Sequence, residues 1–307
     1  MATESESNDG PFTRWVQGAI SDPERTYRAM FYVVMIFFLV TTLFPLYYLL
    51  VIALTPTSAI QDMGLLPKGF NPGAFVEIFE VVPIHFYLFN SFVLATVTTV
   101  IVIALASLAG YVFGRLEFPG RVPLMLSVLA ISYFPPAAFL LPLYQLFQGD
   151  VMVFGVQVFP RVINTPPAMV LPFSALFLPL SIFILTTFYS QIPDGLEDAA
   201  RVEGSTRLGA LFRVIIPLSA PGVATAAVLT FISVYNEFFF SYLMVTSGKF
   251  TNWAPMVYGI LNYQTQYSTL YNLMAAASIV AVIPVAILVV VAQEKIVSGL
   301  TAGALKE

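Results

Sequence analysis

The residues able to do chemistry are concentrated in one stretch, LEDAARVEGSTRLGALFRVIIPLSAPG, which runs from Leu196 to Gly222. It holds three arginines, at positions 201, 207 and 213, and three acidic residues, at 197, 198 and 203, in a chain that is only 10% charged. No residue of the stretch forms a nucleophile with a base beside it, so we expect a docking surface and not a catalytic centre. The alternative is a solvated connecting loop.

Composition excludes several other kinds of site. The chain has no cysteine, which excludes disulfides, thiolate metal sites and cysteine nucleophiles. Its one histidine, His85, excludes a multi-histidine metal centre and favours an interfacial position. The net charge of -4 is too small to imply a nucleic-acid partner. We therefore expect no catalytic residue, no metal site and no nucleic acid.

The elements that must position the charged stretch are membrane helices. The chain is 58% hydrophobic, its mean hydropathy is +0.86, and soluble domains carry about 25% charged residues. Because a spanning helix needs about 20 apolar residues, the sequence predicts an all-α polytopic membrane protein with six transmembrane helices. The predicted spans are Tyr27–Leu54, Leu88–Phe113, Val122–Phe147, Pro166–Tyr189, Ala220–Val245 and Leu270–Ala292. Proline is frequent on both sides of the boundary between the third and fourth spans, so hydropathy alone does not fix where these two spans end and begin.

Lysine and arginine predict the orientation. Ten of the 13 lie on the side that holds both termini, and only Lys68, Arg161 and Lys249 lie on the other. The positive-inside rule then makes both termini cytoplasmic. Residues 1–26 form a predicted cytoplasmic tail, in which residues 12–20 are either a surface helix or a partly ordered tail. Residues 27–307 form the membrane domain.

The charged segment, residues 191–219, is long enough for two short helices joined by a turn. Pro193 suits the start of the first, and Gly204 offers a stop or a point of close approach. Ser205 can cap the second helix, and Pro217 and Pro221 precede the fifth span. We expect an elbow whose apolar side rests on the bundle.

Polar residues within the predicted spans are candidates for the substrate path. Glu237 is the only acidic residue deep in a span, and such a charge costs at least about 2.5 kcal/mol. It is predicted to line the path, to make a helix contact, or to anchor a loop at the outer interface. The other path candidates are Asn90, Tyr144, Gln145 and Asn236.

The charged segment resembles the EAA motif of ABC-importer permeases, Glu-Ala-Ala-x3-Gly-x9-Ile-x-Leu-Pro. The matching residues are Asp198, Ala199, Ala200, Gly204, Val214, Ile216 and Pro217, with every spacing kept and three conservative departures. The stretches NSFVLATVTTV, ASLAGYVFGRLEFPGR, FPPAAFLLPLYQLF, VYNEFFFSYLMVT and SGLTAGALKE resemble the MalG-like permeases of carbohydrate ABC importers.

This resemblance implies a type I permease bundle in the cell membrane that forms half of a sugar path. It implies four partners besides the lipid bilayer: a second permease in a heterodimer, two ATPase subunits and an extracytoplasmic solute-binding protein. It implies that the segment contacts the ATPase through Glu197, Asp198, Ala199, Ala200, Glu203, Gly204, Arg207 and Pro217. No cofactor is expected on this chain, because SGKF at residues 247–250 lacks the phosphate-loop pattern; ATP and Mg²⁺ belong to the partner ATPase.

Three other interpretations stay open from the sequence. A permease of the same superfamily could carry a non-sugar solute. An ion-coupled secondary transporter would need charges in several spans, and only Glu237 is available. A membrane-embedded enzyme would need a catalytic constellation.

Overall fold

A computed structural model of the chain describes residue 10, residues 23–264 and residues 269–302, with side chains described as far as residue 293. This part of the chain is mostly helical. Its α-helices are α1 Pro23–Leu54, α2 Ala74–Val81, α3 Ile84–Arg115, α4 Arg121–Ser132, α5 Ala137–Gln148, α6 Pro166–Tyr189, α7 Asp194–Val202, α8 Arg207–Ala210, α9 Ile216–Leu218, α10 Ala220–Tyr235, α11 Phe239–Met244, α12 Met256–Leu261 and α13 Tyr271–Ala302. A two-stranded antiparallel hairpin pairs β1 Met152–Val153 with β2 Val156–Gln157.

Between four and six of these elements are candidate membrane spans. Within the described residues α1, α3, α6 and α13 are long and apolar enough to cross a bilayer. Two bent pairs add to them: α4 with α5, at 85°, and residues 207–218 with α10, at 83°. The polytopic all-α prediction is confirmed at this level.

The predicted third span is not one straight helix. The chain leaves α4 after Ser132 and resumes as α5 at Ala137, with Pro135 and Pro136 between them. Proline has no amide hydrogen to donate, so the helical hydrogen bonds are interrupted there. The predicted fifth span is likewise interrupted, after Tyr235, and continues as the short helix α11.

Two predicted loops contain regular structure. The loop between the first two spans carries α2, whose Ala74 and Ile78 are buried. The loop after α5 carries the hairpin, whose side chains are exposed. The predicted surface helix of residues 12–20 lies outside the described residues.

The centre of the bundle is the contact between α3 and α6, which small residues allow to be close. A Cβ atom added to Gly110 would lie 3.0 Å from Leu185 Cβ and 3.2 Å from the backbone nitrogen of Thr186. One added to Gly114 would lie 3.1 Å from the carbonyl oxygen of Thr186. Small residues are typical of such close helix contacts in membranes. The two helices therefore pack backbone to backbone at the end of the bundle that carries the charged segment.

Candidate functional site

The charged segment folds as the predicted elbow of two short helices. In α7, Asp194 and Glu197 lie in the first turn and Arg201 in the last, which complements the helix dipole. In α8 the cap is Thr206, whose Oγ1 accepts a hydrogen bond from the Gly209 amide at 3.1 Å. The prediction that Ser205 is the cap is therefore wrong by one residue.

Gly204 makes the turn between the two helices. Its φ is +92°, in the left-handed region that favours glycine. The Gly204 amide donates to the Arg201 carbonyl at 3.0 Å, and the Ser205 amide donates to the Ala200 carbonyl at 2.9 Å. This pair of bonds is the Schellman arrangement, which satisfies the last carbonyls of a helix. No other atom lies within 4 Å of where a Cβ would stand, so within this chain the glycine is needed for its backbone angle and not for space.

The apolar face of the elbow rests on the bundle, as predicted. Leu211 and Ile215 in the π-helical turn Leu211–Ile215 are fully buried. They belong to one buried cluster with Phe113 of α3 and with Leu185 and Tyr189 of α6. The elbow is therefore anchored where α3 and α6 are in close contact.

A buried ion pair attaches α7 to the end of α3. Arg115 donates from Nε to Glu197 Oε2 at 2.9 Å, and the two side chains are 3% and 9% exposed. Tyr111 donates its hydroxyl to the other carboxylate oxygen of Glu197 at 2.5 Å. Arg115 Nη1 also donates to the Ile192 carbonyl at 2.6 Å and pairs with the exposed Asp194 carboxylate at 2.9 Å. Both oxygens of the Glu197 carboxylate are thus occupied inside the chain.

Glu197 therefore faces the bundle in the single chain, and its predicted contact with the ATPase stays a prediction. Burial works to raise the pKa of its carboxyl, but the hydrogen bonds from Tyr111 and Arg115 and the arginine charges outweigh burial and hold the pKa below its usual value. The carboxylate is accordingly ionised at neutral pH. Sequence reasoning missed Arg115 and Tyr111 as its partners. The signal was their spacing of four, which puts both side chains on one face of α3.

The opposite side of the elbow is uncovered and mixes apolar and charged residues. Val202 is 89% exposed and Phe212 60%, and Leu196 and Leu208 are also exposed. Among the predicted contact residues, Asp198, Ala199, Glu203, Gly204, Arg207 and Pro217 are exposed, and Ala200 is half-buried. Exposed apolar side chains within a charged rim are typical of a protein docking surface.

Glu237 caps a helix. It lies in the break between α10 and α11, where Oε1 accepts from the Phe240 amide at 2.9 Å. Oε2 accepts from the Ser241 amide and the Ser241 hydroxyl, both at 3.2 Å. The carboxylate satisfies amides at the start of α11 that have no helical partner. A contact of Glu237 with substrate stays a prediction.

Asn90 holds a loop. The side chain is only 6% exposed, and Nδ2 donates to the carbonyls of Phe250 and Ala254 at 2.8 and 3.0 Å. Its neighbour Ser91 accepts from the Met256 amide at 2.7 Å. One turn earlier on α3, Tyr87 donates to the Gly248 carbonyl at 2.8 Å. These bonds fasten residues 246–263, called the 246–263 loop below, to the start of α3.

The other path candidates are spread along the chain. The Tyr144 hydroxyl accepts from Gln148 Nε2 at 2.7 Å, whereas Gln145 and Asn236 are exposed. A role for these residues in the path remains a prediction. In the part of the chain that the structure describes, no group of three or more histidine or acidic side chains could hold a metal ion.

The family model and the relatives that match this chain all point to one family. Residues 106–301 match the model of the family described as the inner membrane component of binding-protein-dependent transport systems. The chain is 35% identical over 270 residues to the sulfoquinovosyl glycerol transport permease SmoH of Agrobacterium fabrum, with 87% of this chain and 90% of SmoH covered. It is 34% identical to the trehalose transport permease SugB of Mycobacterium tuberculosis, covering 86% and 92%. It is 33% identical to the trehalose/maltose permease MalG of Thermococcus litoralis, covering 86% and 91%.

Solved structures give the same fold. A chain of a bacterial ABC transporter that imports the acidic polysaccharide alginate superposes with a TM-score of 0.66 at 19% identity, over 89% of this chain and 97% of that one. The family model and the sequence relatives confirm the resemblance to MalG-like permeases of carbohydrate ABC importers. The matched region contains Arg115, the whole charged segment and the 246–263 loop. The chain belongs to the family of inner membrane components of binding-protein-dependent transport systems.

Proposed function

We propose that this chain is one permease of a carbohydrate ABC importer and that the exposed face of the charged segment is the surface on which an ATPase subunit docks. The observation that carries the proposal is the elbow itself. Its inner face is buried on α3 and α6, whereas its outer face leaves Val202 and Phe212 exposed. The sugar is proposed from the relatives, since SmoH, SugB and MalG are described as permeases for sulfoquinovosyl glycerol, for trehalose and for trehalose or maltose.

The proposed membrane arrangement has six spans and both termini in the cytoplasm. The two bent pairs each count as one span in this arrangement. It is supported by the ten-to-three distribution of lysine and arginine. It puts the charged segment in the cytoplasm, and the 246–263 loop and the β1–β2 hairpin outside. Residues 1–26 are then a cytoplasmic tail and residues 27–307 the membrane domain.

The proposed assembly contains a second permease, two ATPase subunits and an external solute-binding protein. A related alginate transporter has been solved in complex with a periplasmic protein that carries an alginate pentasaccharide, which supports the last of these partners. The face of α1 that is uncovered in the single chain is available to lipid and to the second permease. ATP and Mg²⁺ would be bound by the ATPase subunits. Their closure would move the charged segment and the spans attached to it.

The docking surface can be tested with single cysteines, because the chain has none. Val202→Cys places a thiol on the proposed docking face, and the matched control Val156→Cys places one on the exposed strand β2. In intact cells an impermeant maleimide should label position 156 and not position 202. In inside-out vesicles it should label position 202 until the ATPase subunits are added. Labelling of position 202 from outside, or labelling that the ATPase leaves unchanged, would refute the proposal.

The substrate class has a separate test. A strain lacking this chain is grown on single carbohydrates and on single amino acids or peptides, and uptake of each labelled solute is measured. We expect the loss to be limited to carbohydrates and to be restored by the intact gene. A loss limited to non-carbohydrate solutes would favour the alternative of a non-sugar permease of the same superfamily.

A further inference from the structure

The two ends of α3 are fastened to the charged segment, on which the ATPase is proposed to dock, and to the 246–263 loop, which lies on the proposed outer side, where the solute-binding protein would dock. At its last residue, Arg115 holds α7 through Glu197 and the segment's first turn through the Ile192 carbonyl. Near its start, Tyr87 and Asn90 hold the 246–263 loop through backbone carbonyls. Within the described residues, α3 thus has polar bonds to both regions, one at each end.

The body of α3 is suited to transmit a displacement. Among the four long helices that the structure describes, α3 alone has no internal proline; α1 contains Pro45, α6 contains Pro172 and Pro179, and α13 contains Pro284. Proline is the commonest cause of a sharp kink. At 1.5 Å per residue, the 32 residues of α3 extend for about 48 Å, which exceeds the hydrocarbon thickness of a bilayer.

The ion pair between Arg115 and Glu197 should make the end of α3 and α7 move together. Arg115 and Glu197 are almost fully buried, both carboxylate oxygens are occupied, and the contact joins residues 82 positions apart in the sequence. Separating such a pair would leave a buried charge without a partner, which is strongly unfavourable. Displacement of α7 is therefore expected to carry the end of α3 with it, together with the part of α6 that packs on Gly110 and Gly114.

We propose that α3 is a rigid connector between the docking surface for the ATPase and the loop that meets the solute-binding protein, and that Arg115 and Tyr87 are the positioning residues at its two ends. The proposal rests on the function proposed above. It predicts that arrival of the binding protein at the 246–263 loop is communicated to the ATPase through α3. Loosening either end should then remove the same communication.

The experiment measures stimulation, defined as ATP hydrolysis with loaded binding protein divided by hydrolysis without it, in the complete transporter reconstituted in proteoliposomes. Arg115→Ala loosens one end and Tyr87→Phe, which removes a single hydroxyl, loosens the other. Tyr263→Phe is the matched control. Its hydroxyl donates to the Ile78 carbonyl at 2.6 Å and so ties the same region to α2 and not to α3.

We expect Tyr87→Phe to lower stimulation by at least about fivefold, because the hydroxyl both donates to the Gly248 carbonyl and accepts from Asn262 Nδ2 at 2.8 Å, and one net hydrogen bond alone gives about that factor. We expect Arg115→Ala to lower stimulation on the order of tenfold or more. The decisive result is the double variant. Since both changes interrupt one connection, Arg115→Ala with Tyr87→Phe should be no worse than Arg115→Ala alone. Arg115→Ala with Tyr263→Phe should show the product of the two separate effects, as independent sites do.

Multiplying effects in both double variants would overturn the connector. If Arg115→Ala does not assemble, Arg115→Lys replaces it, because lysine keeps the charge but cannot reach the carboxylate and the Ile192 carbonyl at once. Failure of the proposed function is recognised by a separate measurement. In that case no ATPase subunit would co-purify with the unmodified chain, and both proposals would be overturned. If the ATPase subunit co-purifies but the effects of the single variants multiply in both double variants, only the proposal that α3 is a connector is overturned.

Discussion

Replacing Gly204 by alanine tests whether the backbone angle of the elbow matters for docking. At a φ of +92° an L-residue is strained by roughly 1–2 kcal/mol. No steric conflict adds to this strain, since the new methyl group meets no other atom within 4 Å. The free segment can escape the strain by leaving the turn, whereas a docked segment cannot. The apparent affinity for the ATPase should therefore fall by a factor of about 5 to 30.

The chain offers two glycines as controls. Gly120 has a φ of +86° and equally open surroundings, but it lies in the turn between α3 and α4. Gly120→Ala introduces the same strain without touching the charged segment. Gly195 lies in α7 with open surroundings and no positive φ, so Gly195→Ala adds a methyl group to the segment without strain.

The assay is titration of the ATPase subunits onto purified permease pairs, followed by transport in proteoliposomes. Gly204→Ala should weaken binding, and Gly204→Asp should weaken it further by placing a charge on the docking face. Gly120→Ala and Gly195→Ala should leave the affinity within about twofold. An equal loss in Gly204→Ala and Gly120→Ala would mean that strain anywhere on this side disturbs the bundle. Normal binding by Gly204→Asp would mean that the segment is only a connecting loop, and the proposed mechanism would be wrong.

Two further variants examine polar residues of the predicted spans. Asn90→Ala should leave the Phe250 and Ala254 carbonyls without their donor, a loss of about 1–3 kcal/mol. We expect half-maximal ATP hydrolysis to need a higher concentration of binding protein, while the basal rate of hydrolysis stays unchanged. An unchanged half-maximal concentration would refute the role of Asn90 in holding the 246–263 loop for the binding protein. Glu237→Ala removes the cap of α11 and should lower stability by about 1 kcal/mol, visible as a lower unfolding temperature, whereas Glu237→Gln keeps an acceptor and should lose less. Reduced uptake at an unchanged unfolding temperature would instead favour the predicted contact with substrate.

Hydropathy located the membrane helices well where a single apolar run is bounded by polar residues or proline. The span predicted at Pro166–Tyr189 has the same bounds as α6, because Pro166 suits a helix start and a polar stretch follows Tyr189. Hydropathy could not show that α4 and α5 meet at 85°. An apolar run carries no information about direction once Pro135 and Pro136 interrupt its hydrogen bonds, because neighbouring helices decide the angle.

The turn of the candidate site was predictable because its cause is local. A left-handed angle at a helix end requires glycine, so Gly204 could be singled out from its type and position. Its possible second role, close approach, depends on what lies opposite, and inside this chain the space is open. The sequence could show that Tyr111 and Arg115 share one face of α3, but not that Glu197 would lie opposite them. Its partners Arg115 and Tyr111 are more than 80 residues away in the sequence.

The polar side chains at the two ends of α3 have partners that the sequence could not reveal. A buried polar group must be hydrogen-bonded, but sequence does not say to what. Asn90 was predicted to face the path because a polar residue near the start of a span is free in principle to meet a solute. Its amide holds the 246–263 loop, just as Tyr111 and Arg115 hold the charged segment, and its role in the path stays a prediction. The bonds to both regions therefore come from the ends of one helix, and we expect a displacement of either region to be passed along α3.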